Sequence, residues 1–279
     1  MASAEKRWIA LNKLVMRCDC YGTPQWTEES NRRKNPLNGW LSDIQMMEII
    51  AMGIACSQNA RSKQVSELIR SGVFASAFAD FDIAQLSKLD PEMIVQCNWR
   101  ELGSIRFKGK VQRIVECARV VKKIALEFGS FAQYVDSFGI PRSIRTEADL
   151  DMFWDKFHSL RRDLRERELP FFHSTTSLLQ VPLSLGYDSV KPDLIVMRFA
   201  RRIGLVTGDA NLRSVVRQIQ TYALEPGLRG ALVDLAILAF SGQTDARNLL
   251  RQRFCPSSDP CRHKACELGQ NSLCIAFKQ

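Results

Sequence analysis

Two groups of residues in this chain have types and spacing that could do chemistry. The first centres on Asp193, in the stretch 191–205, KPDLIVMRFARRIGL. Pro192 and Asp193 open a run of recurring apolar residues and Gly204 closes it, which predicts one capped helix with a carboxylate at its N-terminus. Such a carboxylate can cap the helix, or it can offset developing positive charge and orient or deprotonate a water. The second group is Cys255, Cys261, Cys266 and Cys274, separated by five, four and seven residues. Clustered thiols in an intracellular chain argue for metal rather than disulfides. Four thiolates in one short loop suit a 4Fe–4S cluster or, alternatively, tetrahedral zinc, and His263 could replace one ligand. Cys56, Cys97 and Cys117 sit among apolar helical residues and read as buried thiols.

The elements that must position these groups are helical. Residues 43–54 carry Ile44, Met47, Ile50, Ala51 and Ile54 at helical spacing, and a second helix is expected over residues 62–69. Between them lies the junction Ala55, Cys56, Ser57, Gln58, Asn59, Ala60. Breaks are expected near residues 71–72, 80–82 and 90–91. The segment 103–110, GSIRFKGK, leads into an amphipathic helix to about Phe128, with Val111, Ile114, Val115, Ala118 and Val121 on one face. Trp154, Phe157 and Leu160 mark an amphipathic helix within the charged region 139–168. A helix is expected over residues 8–16, whereas Gly22, Pro24, Pro36 and Gly39 make residues 17–40 read as an ordered loop or arm. Basic helices follow Gly204, with Arg213, Arg217, Arg229, Arg247, Arg251 and Arg253.

Composition bounds the partners. With 279 residues, 46% of them hydrophobic, the chain can bury a large core or two smaller ones, so disorder is not expected. A net charge of +9 favours an anionic partner. No apolar run approaches the ~20 residues of a membrane span, and charges occupy residues 1–7, so a cytoplasmic protein without a membrane partner is expected.

The pattern Asp193, Val196, Arg198, Arg202, Gly204 resembles the segment after the hairpin in DNA glycosylases of the helix-hairpin-helix (HhH-GPD) superfamily. Other parts follow in the same order. The 55–60 junction resembles the loop whose glutamine enters the duplex, and 103–110 resembles the glycine, aromatic and lysine turn before a long helix. Residues 77–82 with 129–134 are similar to the 3-methyladenine glycosylase I branch. Residues 232–242 and the terminal cysteines are similar to the endonuclease III branch, although the family's cysteine gaps are six, two and five. The hairpin position is Leu169, Pro170, Phe171, Phe172, His173, with Phe171 and His173 where the family has glycine. Glycine serves there because backbone amides must approach a phosphate at positive φ; the amides of the next helix, with Ser174 and Thr175, offer another phosphate site.

The resemblance implies an all-α, two-lobed fold with a C-terminal metal loop. Its expected divisions are an N-terminal helix and aromatic arm (1–42), a helical lobe with the degenerate hairpin (43–190), a catalytic-helix lobe (191–254) and the Cys-rich loop (255–279). It also implies duplex DNA as the partner of a monomeric enzyme, contacted by Gln58, Asn59, Arg106, Lys108, His173, Ser174, Thr175 and Arg198, with Asp193 as the catalytic carboxylate. Gln58 would fill the gap left by an extruded nucleotide, and Tyr21, Trp26, Trp40 and Trp99 are candidates to line its pocket. By spacing, Thr175 occupies the position of the lysine that forms a Schiff base in strand-cutting relatives, so a monofunctional enzyme releasing damaged or alkylated bases is expected. Two alternatives stand beside it: removal of hypermodified bases from phage DNA, and a non-catalytic DNA-binding protein retaining the fold.

Overall fold

The computed structural model describes residues 4–18, 21–34, 41–57, 60, 62–172, 174–206, 211–241, 255 and 266–275, and among these there is no strand. The chain begins with α1 (Ala4–Val15), α2 (Pro24–Lys34), α3 (Asp43–Ala55) and α4 (Ser62–Arg70). Short α5 (Val73–Ala77) and α6 (Ile83–Leu86) follow, then α7 (Pro91–Leu102) and the long α8 (Gly109–Phe128). The second half contains α9 (Phe131–Ser137), α10 (Glu147–Glu166), α11 (Thr175–Ser184), α12 (Leu194–Arg202), α13 (Leu212–Leu224), α14 (Gly230–Ser241) and α15 (Glu267–Gln270).

Capping residues set most of these boundaries. Ser42 and Thr146 form capping boxes with Gln45 and Asp149, and Asp82, Asp90, Ser130, Ser174, Asp193 and Asn211 each accept an amide of the first turn. Each such bond satisfies a donor the helix leaves unpaired and stabilises it by about 1 kcal/mol. At its far end α12 stops in a Schellman motif: Gly204 takes φ +66°, its amide donates to the Arg201 carbonyl, and the Leu205 amide donates to that of Ala200.

Helices gather around two buried ones. α8 packs against α3, α6, α7 and α9, burying Val111, Ile114, Val115, Ala118 and Val121 against Met46, Met47, Ile50 and Ile54. α14 is apolar on nearly every side, as a helix enclosed by others must be, and packs against α1, α2, α12 and α13. α11 touches both α3 and α13. Trp154 on α10 is buried and donates from Nε1 to Gln220 Oε1 on α13 at 3.1 Å.

Two expectations need correcting. Residues 24–34, expected as loop or arm, are helical: Pro24 suits the first turn, Thr23 Oγ1 accepts the Trp26 amide, and Glu29 pairs with both Arg32 and Arg33. Of the three internal cysteines expected to be buried, Cys117 is, while Cys56, the C-cap of α3, and Cys97, in α7, where only Ile94 and Leu102 are buried, are exposed.

Candidate active site and nucleic-acid interface

Asp193 is the N-cap of α12 and is half-buried. Its two carboxylate oxygens are used unequally. Oδ1 accepts both the Ile195 and Val196 amides at 2.9 Å, whereas no donor among the described residues reaches Oδ2. One oxygen therefore holds the helix, and the other remains for a ligand or water. The preceding residues are tied down as well, because the Asp193 amide donates to the Lys191 carbonyl at 2.8 Å and the Lys191 amide donates to Asp234 Oδ1 at 3.2 Å.

Beneath this segment lies a buried charge network that the sequence reading missed. Asp234 on α14 is fully buried and faces Arg33 of α2, whose Nη1 lies 2.5 Å from Oδ2. Arg33 also donates to Glu29 Oε1 at 2.7 Å and to the Ala231 carbonyl at 3.1 Å. Arg32, its neighbour, joins Glu29 and the Ser184 carbonyl at the end of α11. Burial pushes the Asp234 carboxyl upward while Arg33 pulls it back, with Asp193 adding a further upward push. Burial disfavours the Arg33 charge, yet Asp234 and Glu29 outweigh it and hold its pKa above the ordinary value. We read the pair as ionised, since a guanidinium that keeps its charge at this distance favours the carboxylate. A single charge inside the apolar run 232–242 was the signal available in sequence.

The turn between α10 and α11 has the shape of a hairpin. Phe171 stands at φ +71°, so the backbone takes the left-handed conformation expected of the missing glycine. Neighbours hold it there: Ser177 Oγ donates to the Phe171 carbonyl at 3.0 Å, Cys117 Sγ to that of Pro170 at 3.4 Å, and Phe172 packs edge-on against the Phe171 ring. Ser174 caps α11 and is exposed, and Thr175 begins the helix. The first-turn amides of α11 thus lie next to the exposed Ser174 and half-buried Thr175 hydroxyls, a suitable place for a phosphate. His173 lies outside the described residues.

A third element surrounds the 55–60 junction, of which Gln58 and Asn59 lie outside the described residues. Lys110, at the start of α8, is buried and sends Nζ to the Ala55 and Ser57 carbonyls at 3.0 and 2.5 Å, closing the C-terminal end of α3. Burial lowers its pKa. Its spacing with Ile114, Cys117 and Val121 places it on the inner face of α8, which periodicity alone would have revealed. Arg106, at φ +73°, and Lys108 are both exposed beside this junction, and Lys108 Nζ lies 5.7 Å from the Trp99 ring centroid. Arg198, on α12, is half-buried. Of the other aromatics proposed for a base pocket, Tyr21 and Trp26 pack on one another at 5.6 Å, and Trp40 lies outside the described residues.

Cys255 follows α14, its amide donating to the Phe240 carbonyl at 3.0 Å, and its sulfur accepts from Arg202 Nη1 at 3.5 Å. The Ile275 amide donates to the Arg202 carbonyl at 2.7 Å, so both ends of the Cys-rich segment meet the end of α12. Burial raises the Cys266 thiol, the Gly269 and Leu268 amides pull it back, and Cys274 and Cys255 add smaller upward pushes. Cys261 and His263 lie outside the described residues, and among those described no group of three or more His, Cys, Asp or Glu is arranged to hold a metal.

Residues 56–180 match the family model described as methyladenine glycosylase. The matched span is just under half of the chain and runs from the 55–60 junction into α11, stopping short of Asp193. It supports a glycosylase of the helix-hairpin-helix type, with DNA as substrate and N-glycosidic cleavage as the general activity. Neither the curated proteins nor the solved structures compared with the chain include a match. No helix among the described residues is long and apolar enough to cross a membrane.

Proposed function

We propose that this chain is a monofunctional DNA glycosylase that releases N-alkylated purines from duplex DNA, with Asp193 as its catalytic carboxylate. The observation that carries the reading is the divided carboxylate of Asp193, with Oδ1 fixed by two amides and Oδ2 without a donor among the described residues. When the bond between C1' and the base nitrogen breaks, its electron pair leaves with the base and positive charge builds on the sugar. A fixed anion offsets that charge, and Oδ2 can take the proton of the water that attacks C1'. An alkylated purine already carries positive charge, so it departs readily and needs less help from an acid.

Thr175 offers no amine for a Schiff base, which favours water as the nucleophile. The exposed Arg106, Lys108, Ser174 and Thr175 amide region would contact the backbone, with Gln58 and Asn59 at the extruded nucleotide and His173 and Arg198 nearby. The donor chemistry of the C-terminal cysteines fits a thiolate-held centre: Cys255, Cys261, Cys266 and Cys274 would hold a 4Fe–4S cluster or zinc that braces the loop against α12. The test is a panel of duplexes, each with one modified base and including N-methylated purines, incubated with the purified protein. Release of a methylated purine to leave an alkali-labile abasic site, with no borohydride-trapped complex, is the expected result. Intact DNA across the panel would refute the activity, and trapping that vanishes in Lys191→Ala would refute the water-using mechanism.

A further inference from the structure

Asp234 is the one charged side chain in α14, and it is fully buried. A buried ion pair adds little to a fold that an apolar pair of similar volume would not match or exceed, so its position asks for a use. Its contacts supply one. Oδ2 meets Arg33, which is itself fixed by Glu29 and the Ala231 carbonyl, while Oδ1 accepts the Lys191 amide. The Lys191 carbonyl accepts the Asp193 amide, and Pro192 between them has a fixed φ and no amide hydrogen. A continuous set of contacts thus runs from α2 through α14 to the backbone of Asp193.

We infer that Asp234, held by Arg33 and Glu29, is a positioning residue that sets where Oδ2 of Asp193 points. This rests on the reading of Asp193 given under the proposed function. Among the described residues, the contacts of Asp234 and Arg33 include neither the hairpin turn nor the 55–60 junction, so the pair is expected to act on the reacting geometry with DNA affinity retained. Misplacing a reacting group by about 1 Å costs on the order of a hundredfold in rate.

The experiment measures methylated-purine release from duplex DNA treated with a methylating agent, in single turnovers with enzyme in excess, alongside affinity for the same DNA. Asp234→Ala is expected to slow release by about ten- to a hundredfold with affinity retained. Asp234→Asn, which still offers an acceptor to the Lys191 amide, should recover most of the rate. Because the alanine variant strands Arg33, the double variant Arg33→Met with Asp234→Leu provides the second test: apolar replacement preserves the fold, and Glu29 keeps Arg32 as partner. It should be folded and as slow as Asp234→Ala. A folded double variant with the wild-type rate overturns the inference, as does a parallel loss of rate and affinity. Asp193→Asn separates the two claims: if it is as fast as wild type, the reading of Asp193 falls, whereas an inactive Asp193→Asn beside a fast double variant removes the positioning role alone.

Discussion

Replacing Asp193 by asparagine separates its capping role from the catalytic role proposed for it, because the two would draw on different oxygens. Asn Oδ1 can accept the Ile195 and Val196 amides as Asp does, and Asn caps about as well as Asp. What changes is the charge, worth about 0.3–1 kcal/mol to a helix N-terminus, and the second oxygen, which becomes an amide nitrogen unable to take a proton. A domain of ordinary stability, about 5–15 kcal/mol, stays almost wholly folded after such a loss. Loss of a preorganised electrostatic contact in the transition state costs about 2.7–4 kcal/mol, or about 10²–10³ in rate. Stability therefore cannot account for the activity change, and the two effects are separable. Single-turnover base release and a urea titration on the same preparation provide the assay, with Asp193→Ala as the variant that also loses the cap and about 1 kcal/mol more. Wild-type release by Asp193→Asn would refute the argument. So would wild-type activity in both variants once each is corrected for its folded fraction, since Asp193 would then be a cap and nothing else.

Other outcomes follow from the same geometry. Lys110→Met leaves the Ala55 and Ser57 carbonyls without their ammonium donor and should cost about 1.5–3 kcal/mol in urea unfolding while weakening affinity for lesion-containing duplex. The Asp149 carboxyl is held below its ordinary 3.8 by the Arg145 amide first, and by Thr146. Its stabilisation is fully present above pH 3.8 and is lost as pH falls through its depressed folded value, so urea midpoints of Asp149→Asn should lack part of the wild-type acid slope. Protein purified without oxygen should carry iron, seen as a brown colour, or zinc, found by elemental analysis; Cys266→Ser should lower the bound metal, and wild-type protein without either metal would remove the thiolate-centre proposal.

Apolar periodicity and capping residues made α3, α8, α10 and α12 legible, since each buries one stripe and begins at a Ser, Thr or Asp or at the 103–110 turn. The helix α2 was hidden because it has little apolar stripe to show: Glu29 and Arg33 carry its inner face, and their partner Asp234 lies far away in sequence. Flanking glycines and prolines then gave the segment the composition of a loop. Asp193 could be placed as a helix cap from its neighbours, but the division of labour between its oxygens depends on side-chain direction, which spacing does not encode. Phe171 illustrates the reverse. Residue type argued against a left-handed turn, yet tertiary contacts impose it at an expense that an isolated peptide would not bear.

The pairing of Arg33 with Asp234 spans 201 positions of the chain. During synthesis, α1 and α2 emerge early and must wait for α14 before their buried faces pack and Arg33 meets Asp234. A nascent chain that has completed the region from α3 to α11 holds the elements of the α3–α8 core and the hairpin turn, yet the segment that will carry Asp193 has no floor. On the proposed assignment of Asp193, catalytic competence would therefore arrive late, when the two ends of the molecule meet, and an interrupted product would keep the proposed DNA contacts without the means of cutting a base.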